Sequence, residues 1–596
     1  SAIGMIVIGW MIHESEAEKW EFQKGSSDEA YTSFVEKWKR FEKLPVPKIQ
    51  SMEASIDLFP ASNRFSAIGS HVLKNTGSSP IDTFMIRTGF DEQSTFELDR
   101  NFSILEKNEF MKCYLLKLEE TLQVNDQIQL SFQIKNNPNS ILQRNSIVLK
   151  NGTFMKHDIF PRFGYSFSEE FPDPNSKLSY LSHYQGLDAD LIDLSLRVTT
   201  EADQLVLAPG NLVKREIIDN RAYFVYETEN PIKFSFGINS GKYQTSHFFE
   251  SDTEISIYSH HTTNTDLMKN SIGNTLSFMD TFGSYQYDQV RLIEFPDSEG
   301  SYSTAYANNL PMSEVRFITN PASKNDQINL SYYVPAHELI HHWWGATLLP
   351  ARAKGATMLT ESITEYLSLL VYKKQYGNSG AENFLRMQHN RYWAGHNNAS
   401  AIEPALYLVE PSEQYISYGK GAIMMNCLSY LLGEKQFIEI LSSFFHQYKT
   451  KSPPYPTSVD FLMHLERSIP DSIKSFTKGL FTDVSWYDYK VQDSHTRKVA
   501  GKRYQVQATI NAEKWALDKN DTSKTPHKLQ QNDWLQIGFL NDADSLVATK
   551  WILIQKQSTR IAFFLDEKPN TVILDPHYLS LIKNREKNSM TVVYDH

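Results

Sequence analysis

His337, Glu338 and His341 are the residues whose types and spacing point most directly to chemistry in this sequence. Residues four apart on a helix lie on one face, so the two imidazoles can aim at one ion. Glu338, beside the first histidine, is placed to take a proton from a water held by that ion. The flanks read as helix, with Pro335 near its expected start and Gly345 near its end. An ion held this way needs a third protein ligand and one position open to water. Downstream, residues 357–372 have the apolar spacing of a second buried helix, with Glu361 and Glu365 on one stripe of it. A carboxylate on an apolar face is costly unless it binds a metal or a partner. Either glutamate fits as the third ligand, and a plain pair of surface glutamates is the alternative.

This arrangement resembles the gluzincin aminopeptidases, the group of aminopeptidase N and the leukotriene hydrolases. The chain carries one residue more than the family pattern between His341 and Glu361, with Glu365 as the other candidate ligand. Tyr418-Gly419-Lys420-Gly421 resembles the family's Tyr-Glu-Lys-Gly segment. Pro311-Met312-Ser313-Glu314-Val315 stands where the family has its Gly-Ala-Met-Glu-Asn substrate strand, and Glu314 is the functional residue that matches. The resemblance implies one Zn²⁺ per chain, held by His337, His341 and Glu361. It implies Glu338 as the proton acceptor, Tyr418 as hydrogen-bond donor to the oxyanion, and Glu314 as anchor for the substrate's free α-amine. The expected activity is hydrolysis of the N-terminal bond of a peptide with a free N-terminus.

Within that family the chain is most similar to a bacterial subgroup, the peptidase halves of membrane proteins joined to an ABC-type transporter permease. The likeness runs through Leu44-Pro45-Val46-Pro47-Lys48-Ile49, Gly355 to Glu361, Pro454-Tyr455-Pro456-Thr457-Ser458 and Leu574-Asp575-Pro576. The subgroup shares the extra residue, which favours Glu361 over Glu365 as ligand. It also implies an extracytoplasmic, membrane-tethered protein with transmembrane transporter segments as partners. Two other readings stand beside the aminopeptidase. One is a catalytically weak binding or gating domain of a transporter, favoured by the altered substrate strand and opposed by Glu338, which a pure binder does not need. The other is an endopeptidase, which would cleave N-blocked peptides.

At 596 residues the chain has room for three to four domains. A hydrophobic content of 41% argues against disorder, and a net charge of −11 argues against a nucleic-acid partner. Cys113 and Cys427 fit no ligand spacing or disulfide framework and read as small buried hydrophobes. His260, His261 and His342 read as surface or satisfied core residues. The apolar run Ala2 to Ile12 is shorter than the roughly 18 residues of a membrane span. It reads equally as the end of a transmembrane helix or as a segment packed on the body. The chain begins with Ser1, which suggests a fragment or processed product.

Periodicity divides the rest into an α+β multidomain protein. Residues 1–44 hold the apolar run and a charged helical arm. Residues 45–255 alternate with period two (Met52, Ala54, Ile56, Leu58; Ile128, Leu130, Phe132, Ile134) and carry the turn dipeptides Asn137-Pro138, Asn151-Gly152 and Pro209-Gly210. They are expected to form an antiparallel β domain, the saddle that the resemblance implies. Residues 256–484 turn helical and match a thermolysin-like catalytic domain. Residues 485–596 alternate again as a small β-sandwich.

Overall fold

The computed structural model describes residues 31–595 apart from 90–92, 137–146, 167–170, 177–178, 320–326, 400–401, 450–451, 500–502, 518–524 and 531. The apolar run, the first part of the helical arm and the Asn137-Pro138 turn lie outside the described residues. The described part of the arm is helical over residues 31–38. It buries Phe34 and Trp38 against Met85, Met111, Cys113 and Tyr165, so Cys113 is the small core hydrophobe its context suggests.

Two compact units make up the chain: residues 1–169 with 185–242, and residues 170–184 with 243–596. The first is built on a seven-stranded sheet. Its strands are β1 (Lys48–Phe59), β2 (Arg64–Lys74), β3 (Gln93–Leu98), β4 (Gln127–Asn136), β5 (Ala189–Glu201), β6 (Asn211–Ile218) and β7 (Arg221–Glu227), in the order β6-β7-β5-β1-β2-β4-β3. Alternation places one face inward. Met52, Ala54, Ile56 and Leu58 of β1, and Ile128, Leu130, Phe132 and Ile134 of β4, are all buried. The sheet is not wholly antiparallel, because β1 pairs with β5 in parallel. More than 50 residues of chain lie between β4 and β5, ample for the crossover that parallel pairing needs.

The second unit opens on a four-stranded sheet, β8 (Gln244–Glu250), β9 (Thr253–Ser259), β10 (Gln289–Phe295) and β11 (Asn309–Ser313), in that spatial order. The first two strands form an antiparallel hairpin, while β9, β10 and β11 run parallel. The hairpin therefore belongs to the second unit, which moves the division from the expected residue 255 to 242/243. Periodicity gives no sign of β10, since all but one of its residues are buried and no alternation results. Helix α1 (Thr265–Met279) crosses between β9 and β10 and packs on α2 (Leu330–Ile340), the helix of the two histidines.

Helix α2 starts five residues before Pro335, so the proline is internal rather than near the start, and the bond its N–H would give is lost. A π turn over Met358–Ser362 leads into α3 (Ile363–Asn398), which is broken at Gly377, where φ is 69°. A second π turn over Tyr415–Lys420 leads into α4 (Gly421–Leu432), followed by α5 (Glu434–Tyr448), α6 (Ser458–Ser468) and α7 (Asp471–Thr482). These helices share one apolar core that includes Leu339, Ile340, Trp344, Ile363, Tyr366, Met425, Phe437 and Phe444. From Ser485 the chain returns to strands in two sheets. Their inner faces (Tyr489, Val506 and Ile510; Leu535, Ile537 and Val572) bury one another as a small sandwich. Among the described residues no helix is long and apolar enough to cross a membrane.

Candidate metal centre

Helix α2 presents His337 and His341 one turn apart with their Nε2 atoms 3.1 Å from each other. The π turn brings Glu361 to them, its Oε2 lying 3.4 Å from each imidazole Nε2. Ligand atoms about 2.0–2.1 Å from a tetrahedral ion stand about 3.3–3.4 Å apart, so the spacing of the three atoms matches one face of such a site. Glu361 Oε2 is buried and has no hydrogen-bond partner. A buried carboxylate oxygen left this way is costly unless a cation takes it up. The donor set therefore fits a zinc ion, with two nitrogens and one oxygen.

The remaining faces of the ligands are held by a second layer. His337 Nδ1 is 3.2 Å from Glu365 Oε1, and His341 Nδ1 is 3.1 Å from the carbonyl of Trp344. The outer nitrogen of His341 thus has an acceptor that can fix its tautomer, while His337 Nδ1 lies near Glu365 without a hydrogen bond of ordinary geometry. Glu365 is fully buried; the Tyr333 hydroxyl donates to its Oε1 and Gln388 Nε2 to its Oε2 at 2.5 Å. Both glutamates on the predicted stripe therefore clasp His337, from opposite sides of the ring. Glu361 reaches the converging nitrogens and Glu365 the rear one.

Charge follows from this packing. Burial works against a protonated His337, but Glu361 and Glu365 outweigh it and hold its pKa up at about 10. Burial would raise the Glu361 carboxyl, yet His341 and His337 keep it well below the usual carboxylate range. The pocket thus favours positive charge between these groups. Burial pushes Glu338 up, opposed by His337 and His341, so this carboxyl is a better proton acceptor than a solvated one. Burial, with the charges of Glu361, Glu338 and Glu365, drives the Tyr418 phenol far up, and it stays a protonated donor.

Tyr418 comes from the second π turn, its ring stacked on His337 at 5.6 Å between centroids and 19° between planes. The two π turns are joined directly: Ser362 Oγ donates to the Ser417 carbonyl at 2.6 Å. Gly421 packs so closely that an added Cβ would fall 2.1 Å from Ser362 Oγ. Below Tyr418, buried Lys420 donates to the Asp483 carbonyl at 2.8 Å and lies 3.7 Å from buried Glu403. Glu314 belongs to a second group, at the ends of the parallel strands. It lies with His261 and Glu294, one ligand atom from each within 4.8 Å of the others. Its Oε1 accepts the Asp297 N–H at 3.0 Å, and His261 Nδ1 is 2.8 Å from Glu294. His342 is a satisfied core residue, 2.8 Å from both the Tyr285 hydroxyl and the Tyr306 carbonyl. Periodicity gives no sign of Gln388, Arg391 or Tyr184, which lie near the centre through helix packing or through the 170–184 segment.

Residues 271–480 match the model of the peptidase family M1 domain. That stretch contains all six candidate site residues. Among solved structures, it is similar in fold to the crystal structure of Legionella pneumophila aminopeptidase A in complex with aspartic acid. The TM-score is 0.58 at 13% identity, covering 93% of this chain and 60% of that one. The chain thus spans about 60% of the length of that aminopeptidase. A search of curated proteins finds no match.

Proposed function

We propose that the protein is a zinc-dependent aminopeptidase acting on peptides with a free N-terminus. The observation that carries this reading is the convergence of His337, His341 and Glu361 at tetrahedral spacing beside Glu338 and Tyr418. A zinc ion held by the three ligands supplies Lewis acidity towards a carbonyl oxygen and acidifies a water. Glu338 accepts the proton of the attacking water and returns it to the leaving amine. Tyr418 donates a hydrogen bond to the carbonyl oxygen as negative charge grows there, a contribution worth about 10²–10³ in rate. Glu314, with Glu294 beside it, offers negative charge for the substrate's ammonium. The extracytoplasmic, membrane-tethered setting next to transporter segments is carried by the sequence resemblance to permease-linked peptidases.

Metal content measured together with kinetics tests the proposal. One zinc per chain, with hydrolysis of free-amine peptides and refusal of their N-acetylated forms, is the expected result. Equal cleavage of N-acetylated peptides would replace it with an endopeptidase. One zinc without turnover on either panel would leave a binding domain.

A further inference from the structure

Arg391 lies on α3, three residues beyond Gln388 and so on the same helix face. Its guanidinium carbon stands 5.0 Å from the centroid of the Tyr418 ring, and Tyr333 lies close enough to act on its charge. Tyr333 is itself committed to Glu365, whose two oxygens are already taken by Tyr333, Gln388 and the His337 side. Among the described residues no carboxylate forms an ion pair with Arg391, and it is half-buried. The charge of Glu365 favours the charged guanidinium, but that carboxylate's oxygens already accept from Tyr333 and Gln388. Arginine also offers five N–H donors in a planar fork that fits a carboxylate in two-point contact. That fork stands beside the ring of Tyr418.

We infer that Arg391 anchors a substrate carboxylate next to the scissile bond, so the preferred substrates are short peptides with a free C-terminus or peptides with an acidic side chain there. This deepens the aminopeptidase reading and rests on it. A short peptide would then be held at both ends of its charge, its ammonium towards Glu314 and its carboxylate at Arg391. Stacking on Tyr418 ties the anchor to the group that meets the carbonyl oxygen.

The test is calorimetric binding to the zinc-loaded full chain carrying Glu338→Gln, which holds peptides without cleaving them. Three tripeptides serve as probes: a neutral free acid, its amide, and an amide with glutamate at the second position. One or both carboxylate-bearing peptides should bind about 10–100-fold more tightly than the neutral amide, and which of them does so identifies the carboxylate. Adding Arg391→Gln should abolish the difference, while Arg391→Lys should keep part of it. Equal binding of all three probes to the protein with Arg391 intact overturns the inference, whether or not the glutamine variant folds. Equal weakening of all three by Arg391→Gln also overturns it and makes the residue a support for Tyr418 alone. Carboxylate-selective binding in a zinc-loaded wild-type chain without peptide turnover would sink the peptidase reading and uphold the anchor. Turnover without selectivity would do the reverse.

Discussion

Gly421→Ala probes how the two π turns are registered against each other. Gly421 has ordinary helical angles, φ −56° and ψ −51°, so backbone freedom is not the reason for glycine. Space is. An alanine Cβ would stand 2.1 Å from Ser362 Oγ and 2.5 Å from Ser362 Cβ, against an ordinary separation of about 3.5 Å. Rotating the serine clears only the hydroxyl, and it breaks the 2.6 Å bond to Ser417. The Cβ overlap remains, so the two backbones must separate by about 1 Å. Such overpacking costs about 1–3 kcal/mol, set against a gain of about 1 kcal/mol from alanine's helix propensity. The net loss of stability is therefore small, about 0–2 kcal/mol. The shift falls between Glu361 and Tyr418, where about 1 Å of misplacement costs about 10²-fold in rate. The assay pairs thermal unfolding with kcat and zinc content. Expected is near-normal melting and zinc, with kcat down about 10–100-fold. Adding Ser362→Gly removes both overlapping atoms and leaves the backbone at position 362 as the nearest neighbour, 3.2 Å away, so most of the rate should return. Wild-type kcat in Gly421→Ala, or no recovery in the pair, refutes the reasoning.

Glu338→Gln should retain one zinc and lose about 10²–10⁴ in turnover; substantial activity in the metal-replete variant would remove Glu338 from its role. Tyr418→Phe should lower kcat by about 10²–10³ with KM little changed, and a rise in KM alone would argue against an oxyanion donor. Glu365→Ala, which strips the rear partner of His337, should weaken zinc binding about 10–100-fold by competition with a chelator; unchanged affinity would show the ring is held otherwise. In the first unit, burial among Phe132, Phe163 and Phe234 pushes His71 down to about 3. The unfolded chain takes up a proton near pH 6.5 that the folded one refuses, so stability is lost as pH falls from about 6.5 towards 3, at up to about 1.4 kcal/mol per unit. Denaturant unfolding of wild type against His71→Leu between pH 7 and 4 checks this. A difference that does not vary with pH would refute it.

Much of the metal centre was legible because its first contacts are local. The four-residue spacing of His337 and His341 is a property of any helix, and the apolar stripe around Glu361 shows in hydrophobic spacing alone. The same holds for β4, and for β1 from Met52 onward, where alternation matches burial. Strand β10 escapes such reading because it is buried on both faces, and the parallel pairing of β1 with β5 because register across more than 100 residues leaves no periodic mark. Pro335 misled in the other direction, since packing of α2 against α1 outweighs one missing hydrogen bond.

The sequence by itself determined that His337 and His341 would converge with Glu338 beside them, because helical geometry turns short spacings into contacts. Only the tertiary structure decided the division of labour between Glu361 and Glu365. An unbroken α-helix would place both on one stripe, whereas the π turn at Met358–Ser362 aims the first at the ligand nitrogens and leaves the second behind His337. It alone brought Gln388 and Arg391 from a later stretch of α3, and Tyr418 from a second π turn, because those positions depend on how helices pack rather than on how residues are spaced.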